Sequence, residues 1–377
     1  MSWANTSFAK ALCLKYPIIQ APCAGHTGAE LIAAVSNAGG LGSLGAGMMP
    51  ATQLRETIRA IRQRTQKPFA VNLFCRPQVP ITHEELQVQY ETDNTLDKIR
   101  VQLNIVRPAS YQLRSPPLED QVQVILDEGV PVVSFTFGFL PDAITRQLWQ
   151  AGVYLIGTAT TQAEALALAD GKANAILAQG LEAGGHRGSF LKADSQEDQL
   201  PIRELVREIR PAVSLPVIAA GGLSTDQDVA DVMALGADGA ALGTLFMFAT
   251  ESTTPKAHRN HMLTCKEIPR LTRGLTGRWV RSFPNELMKH MEAHDLIPPY
   301  DIHSSKTKDI ATFAADKGLT DYMLLLSGQN TARAAVYSEQ GTLSAADILK
   351  KIVTGMEKRG GGKLRFDGKS NPIVLIE

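Results

Sequence analysis

The chemistry-bearing residues of this 377-residue chain concentrate in three glycine-rich stretches. The first is Ala178-Gln179-Gly180-Leu181-Glu182-Ala183-Gly184-Gly185-His186-Arg187-Gly188-Ser189-Phe190. Glycine loses the most conformational entropy on ordering, so four in one loop do not serve stability. They make sense where backbone must pass close to a flat ligand. His186, set in that frame, can take a proton from a carbon acid or, as a cation, hold an anionic substrate. A surface histidine steadying its own loop is the plainer alternative, and the glycine frame argues against it. The other two stretches are Ala219-Ala220-Gly221-Gly222-Leu223, followed by the N-cap signal Ser224-Thr225-Asp226, and Ala241-Leu242-Gly243-Thr244. Glycine N–H groups approach a phosphate closely, a helix N-terminus adds a favourable dipole, and Thr244 adds a hydroxyl. Either pair alone is explained as a turn from strand to helix; two in succession point to a phosphate-bearing cofactor.

Other candidates carry less. Asn72, in Ala70-Val71-Asn72-Leu73-Phe74, and Gln179 are amides in apolar runs and need partners, which a flavin ring edge or neighbouring backbone can supply. His26, in Pro-Cys-Ala-Gly-His-Thr-Gly from 22 to 28, is placed to line the mouth of a pocket. His258, His261 and Cys265, and then His290 and His294, have helical spacings without a carboxylate in a recognised ligand pattern, so no metal is expected. Arg270, Arg273, Arg278 and Arg281 crowd one stretch, either a solvated face or a site for an anion.

These residues must be positioned by something, and the chain supplies a regular alternation. Short apolar runs at 17–22, 40–46, 68–74, 131–138, 154–160, 175–180, 216–222 and 239–246 read as strands, several apolar throughout, as strands buried on both faces are. Between them lie segments with apolar residues at i, i+3, i+4 and i+7, most ending in Gly or before Pro. Eight strand–helix units predict an α/β chain closed into a (β/α)8 TIM barrel, with function on the loops after the strands and phosphate after strands seven and eight. An open dinucleotide-binding sheet is the fallback, but its G-x-G-x-x-G is missing after the first strand. Residues 1–246 with 331–377 are expected to form the barrel, with a polar insertion at 75–130. Residues 247–330 are expected to form a small helical cap after strand eight, and the run from Ser344 to Arg359 the eighth barrel helix.

Composition narrows the partners. Lys+Arg and Asp+Glu are equal at 38, so no overall field gathers nucleic acid or an anionic membrane. The four cysteines (Cys13, Cys23, Cys75, Cys265) show no C-x-x-C pair, which argues against a disulfide scaffold or zinc ribbon. No signal-peptide pattern opens the chain, and no run approaches the roughly 18 apolar residues of a membrane span. A cytoplasmic location is the expectation.

The motifs together resemble the nitronate monooxygenase family, formerly called 2-nitropropane dioxygenases. The matching residues are 20–47, 131–138, 157–190 with its EAGGHRG run, 218–223, 241–244, 272–278 and 327–329. The resemblance implies FMN and oxidation of alkyl nitronates, propionate 3-nitronate among them, by O2 to a carbonyl compound and nitrite, with a histidine at the His186 position. Carried over, FMN contacts fall on Asn72, Gln179, Gly184, Gly222, Ala241, Leu242, Gly243 and Thr244; Pro22, Ala24, Gly25, Gly185 and Gly221 complete the expected set. His26 and Tyr322 are the expected substrate contacts. Cys23 stands where relatives usually have Met, and Leu326 replaces a common aromatic. An FMN- and NAD(P)H-dependent enoyl-thioester or quinone reductase, and a non-catalytic flavin-binding module, are the alternatives.

Overall fold

The structure is a computed structural model and describes residues 3–75, 81–193 and 195–359. The eight barrel strands are β1 (Ile18–Gln20), β2 (Gly42–Gly45), β3 (Phe69–Phe74), β4 (Val132–Thr136), β5 (Tyr154–Ala159), β6 (Ala175–Gln179), β7 (Val217–Ala220) and β8 (Gly239–Leu242). From β2 to β8 each pairs in parallel with the next, and β8 returns to β1 through Ile18↔Ala240, Ile19↔Ala241 and Gln20↔Leu242. The seam between β1 and β2 is narrow. It is closed by a bridge between Ile19 and Leu41, whose N–H donates to Ile18 O at 2.9 Å. The ring is therefore the expected (β/α)8 barrel.

Strand alternation divides the residues into two cores. Ile19, Leu41, Ala70, Val132, Ile156, Ile218 and Ala241 fill the interior, with Phe8 of the helix Ser7–Ala11 against Gly239 and Tyr154 at the strands' N-terminal ends. Their neighbours Ile18, Val71, Val133, Leu155, Ile176, Val217 and Leu242 face outward into the larger core between sheet and helices. Along the inward face the chemistry changes toward the C-terminal ends. Ala70 is followed by Asn72, Val132 by Ser134 and Thr136, Ile156 by Thr158, and Leu177 by Gln179. The floor of the barrel is apolar and its mouth polar.

The helix Ala345–Lys358, capped by Ser344, buries Ile348, Leu349, Ile352, Val353 and Met356 and packs against the helices Ala29–Asn37 and Asp226–Ala234. That is the eighth helix of the barrel. After β3 the chain makes a long detour through the helices His83–Gln87 and Glu91–Leu103. The next helix, Leu118–Asp127, packs between Ala51–Arg62 and Asp142–Gln150 as the barrel's own connection to β4. Residues 76–80 of the detour and the glycine-rich tail from 360 lie outside the described residues. Within 247–330 there are helices at Lys256–Thr264, Glu286–Glu292, Tyr300–Lys306 and Lys308–Lys317. Two strands are also present, Arg270–Thr272 and Val280–Ser282, antiparallel to each other. The second pairs with Gly185–His186, so a three-stranded sheet ties the loop after β6 to this segment. Among the described residues no helix is long and apolar enough to cross a membrane.

Candidate active site

A cavity of about 460 Å³ opens at the C-terminal ends of the barrel strands. Pro22, Ala24, Gly25, His26, Asn72, Gln179, Gly184, Gly185, His186, Gly221, Gly222, Ala241, Gly243 and Thr244 all line it. Leu242 does not. It follows Ala241 on the strand, so its side chain turns outward, 1% exposed, among the helices. Tyr322 also lies outside the lining: it closes a 3-10 turn (Thr320–Tyr322) and packs in the main core, while Tyr300 and Leu326 take part in the wall.

The loop after β6 is held from four sides. The Gln179 side chain donates to His186 O (3.0 Å) and accepts from Gly188 N–H (2.8 Å). Both ends of that amide are therefore spent on aiming the loop. Arg187, fully buried, donates to Gly180 O (2.7 Å), Gln179 O (2.8 Å) and Gln199 Oε1 (2.7 Å). Glu164, also buried, accepts from the N–H groups of Phe190 and Leu191 at 2.5 and 3.1 Å. Arg278 binds the carbonyls of Arg187 and Ser189 and lies over the Phe137 ring at 3.9 Å. Phe137 itself holds φ at +78°, a strained backbone for an aromatic residue.

His186 sits where these restraints converge. Its Nε2 is 3.1 Å from the Thr276 hydroxyl, which in turn donates to Arg278 O (3.3 Å). With that proton committed, Nε2 is the N–H donor, and Nδ1, without a hydrogen-bond partner among the described residues, carries the lone pair. The rings of Tyr300, Phe137 and Phe74 surround it edge-on at 5.1, 5.9 and 6.1 Å. Burial, helped by the positive charges of Arg278 and Arg114, pushes its pKa down to about 3. The imidazole is neutral at physiological pH.

A polar ladder crosses the mouth opposite the glycine loops. Asn72 Nδ2 donates to Ser134 Oγ (3.0 Å) and Thr136 Oγ1 (3.3 Å), and Thr136 meets Thr158 Oγ1 at 3.3 Å. At the glycine end, Gly221 and Gly222 hold φ at +124° and +67°. A side chain on Gly184 would come within 2.4 Å of Gly328 N. Thr244 Oγ1 accepts from Gly328 N–H (2.9 Å), leaving its own proton to donate. One expectation needs correcting here. The N-terminus of the helix after β7 is already satisfied, because Asp228 Oδ2 accepts from Ser224 N–H and Thr225 N–H, both at 3.0 Å. The carboxylate offsets the dipole that a phosphate would use, so the groups left that could cradle a phosphate are the Gly221–Gly222 turn and Gly243–Thr244.

The remaining candidates are accounted for locally. Arg270 pairs with Glu292 (2.6 Å), Arg281 donates to Leu181 O and Pro269 O, and Arg273 to Gly277 O. None of the four arginines, Arg278 included, lines the cavity. His26 bonds Thr254 (3.1 Å) and meets His258 ring to ring at 5.0 Å; burial lowers the first to about 4, and burial with the neighbouring imidazoles lowers the second to about 3. Among the described residues no group of three or more His, Cys, Asp or Glu could hold a metal ion. Burial pushes Cys23 up to about 12, so it lines the cavity as a thiol. Sequence reasoning missed Thr276, Tyr300, Ser304 and Arg114. Ser134, Thr136 and Thr158 were legible as polar residues at alternate positions late in their strands.

A closed barrel with a polar, glycine-rimmed cavity at its strand C-termini and a neutral imidazole in its wall defines a barrel enzyme of the usual orientation. The nitronate monooxygenase family model matches residues 5–355. A probable nitronate monooxygenase of Staphylococcus aureus (strain JH9) is 35% identical over 352 residues, 93% of this chain and 98% of that protein. Its counterpart in Staphylococcus haemolyticus is 36% identical over 331 residues, 87% and 92% of the two chains. The solved nitroalkane oxidase of Streptomyces ansochromogenes superposes with a TM-score of 0.82 at 33% identity, covering 93% and 98%. FabK of Thermotoga maritima, at 24% identity and a TM-score of 0.72 over 94% and 96%, shares the fold. The chain belongs to the nitronate monooxygenase family and is an oxidoreductase of the class that acts on nitronates and nitroalkanes.

Proposed function

We propose that this protein oxidises alkyl nitronates with O2 to a carbonyl compound and nitrite, with FMN held at the mouth of the barrel. The observation that carries the reading is His186: a neutral imidazole, fixed through Thr276, in the wall of the cavity that also contains both glycine turns. The residues suit FMN. The cavity falls within the roughly 300–1,000 Å³ usual for cofactor sites. The turn at Gly221–Gly222 and the hydroxyl of Thr244 would hold the phosphate, and Asn72 the ring edge. When bound, FMN supplies the electron-transfer chemistry.

The protein's own groups decide the form of the substrate. A base as weak as His186 removes a carbon-bound proton poorly, which favours the preformed nitronate over the neutral nitroalkane. An anion beside Nδ1 stabilises the imidazolium, so the same ring takes up a proton as the nitronate binds. The Tyr300, Phe137 and Phe74 rings around it exclude water and strengthen that contact.

Release of the cofactor by heat, its identification by chromatography, and nitrite release with O2 uptake on ethylnitronate test this reading. FMN together with stoichiometric nitrite is expected. A different cofactor, or FMN without nitrite as a non-catalytic flavin carrier would give, overturns it.

A further inference from the structure

One wall of the cavity comes from outside the barrel. Arg114, on the detour after β3, lines the cavity half-buried. Its N–H donates to Ser305 Oγ (3.0 Å), but its guanidinium makes no hydrogen bond or ion pair among the described residues. It is the only Arg, Lys, Asp or Glu among the described lining residues, so its charge is not neutralised there. Ser304, 1% exposed, lines the same cavity, and its hydroxyl is buried without a partner. A charged donor without a partner among the described residues lines this space, and an unsatisfied buried hydroxyl lies in the same wall.

The surrounding junction fixes both of them. Ser115 donates to Asp301 Oδ1 (2.5 Å). Lys306, wholly buried, donates to Asp93 Oδ2 and Val88 O, each at 2.6 Å. Arg100 donates to Asp309 and to Lys306 O. Buried ion pairs contribute little net stability, but they set position well. The phosphate turns follow β7 and β8, on the far side of the eight-stranded ring from β3. The guanidinium is therefore left for the substrate, and it is close enough to His186 to add to the depression of that imidazole.

We infer that Arg114, with Ser304, is a specificity-determining subsite for a carboxylate on the tail of the substrate. The inference rests on the nitronate reading and identifies which nitronates the cavity favours. A planar guanidinium receives a carboxylate through two parallel N–H···O bonds, and the Ser304 hydroxyl adds a third donor. Carboxylated nitronates gain this contact and simple alkyl nitronates do not.

The test compares wild type, Arg114→Gln, Arg114→Lys and Ser304→Ala on ethylnitronate and propionate 3-nitronate. Calorimetric binding of 3-nitropropionate and 1-nitropropane is measured alongside. Since the guanidinium makes no hydrogen bond or ion pair among the described residues, Arg114→Gln breaks no polar contact there. It is expected to lower kcat/KM for propionate 3-nitronate by roughly 10- to 100-fold, mostly through KM, the value of a charge-assisted pair. Ethylnitronate stays within about threefold, Arg114→Lys recovers part of the loss, and binding of 3-nitropropionate weakens while that of 1-nitropropane does not. Equal losses on both nitronates, or no loss on the carboxylated one, overturn the assignment. If wild type oxidises neither nitronate, the proposed function falls, and the calorimetric contrast alone decides the subsite.

Discussion

Replacement of His186 by Asn separates its two duties. With the imidazole pushed down to about 3, its protonated fraction in the free protein at pH 7 is about 10⁻⁴. On the proposed reading it would act on a neutral nitroalkane only as a weak base, and on a nitronate as a group that gains its proton with the ligand. Asn keeps an amide near Thr276 but cannot accept a proton at all. Loss of so weak a base lowers turnover of neutral nitroethane by no more than about 10-fold, well short of the roughly 10²- to 10⁴-fold of a base poised near the working pH. Loss of one hydrogen bond to a charged ligand, roughly 1.5–3 kcal/mol, lowers turnover of ethylnitronate by about 10- to 100-fold. Initial O2 uptake on freshly dissolved nitroethane and on equilibrated ethylnitronate measures both, with cofactor content matched by absorbance. Equal rates in variant and wild type on both forms would refute the assignment. So would a loss fully explained by missing cofactor.

Three further outcomes follow from packing and charge. His26, His258 and His303 are buried with folded values of about 4, 3 and 4, burial being the main cause in each. Their stabilising contribution is complete above about pH 6.5 and is lost as pH falls toward 4, because only the unfolded chain takes up protons there. At pH 5 that is about 2 kcal/mol each, or about 6 kcal/mol for the three, against pH 7. Urea midpoints at the two pH values check it, and a pH-independent midpoint would contradict it. Gly184→Ala drives a Cβ against Gly328 N (2.4 Å) and Ser327 C (2.5 Å), both backbone. It should cost about 1–3 kcal/mol and lower cofactor content, whereas Gly25→Ala, with nothing within 4 Å and only φ +82° to strain it, should cost roughly 1–2 kcal/mol and spare most loading. Lys306→Met strands Asp93 in the junction and should cost about 3–5 kcal/mol in thermal unfolding, with Lys306→Met/Asp93→Leu recovering most of it.

Much of the barrel was legible because short apolar runs and glycine turns are local signals. Gly221, Gly222, Gly243 and Thr244 could be placed at one end of one cavity from the order of their strands alone. The partners of His186 could not. Thr276 reaches it only through pairing of Val280–Ser282 with Gly185–His186, a contact across 90 residues that leaves no periodicity. Gln179 was legible as a polar residue at a strand end, but its use in aiming the loop depends on where Gly188 returns. Tyr322 and Tyr300 show the same limit. Both are tyrosines in the same segment, and only the packing of the helix Tyr300–Lys306 against the detour decides which one meets the cavity. For Leu242 strand alternation puts the side chain on the helix side, which leaves only its backbone toward the strand ends.

The most direct test is anaerobic mixing of the protein loaded with FMN with ethylnitronate, propionate 3-nitronate or NADH while the flavin absorbance is followed. Bleaching by the nitronates, with recovery and nitrite release when O2 is admitted, and no bleaching by NADH, is the predicted result. Rapid bleaching by NADH with none by either nitronate would contradict the account and make the protein a pyridine-nucleotide-dependent reductase on the same barrel.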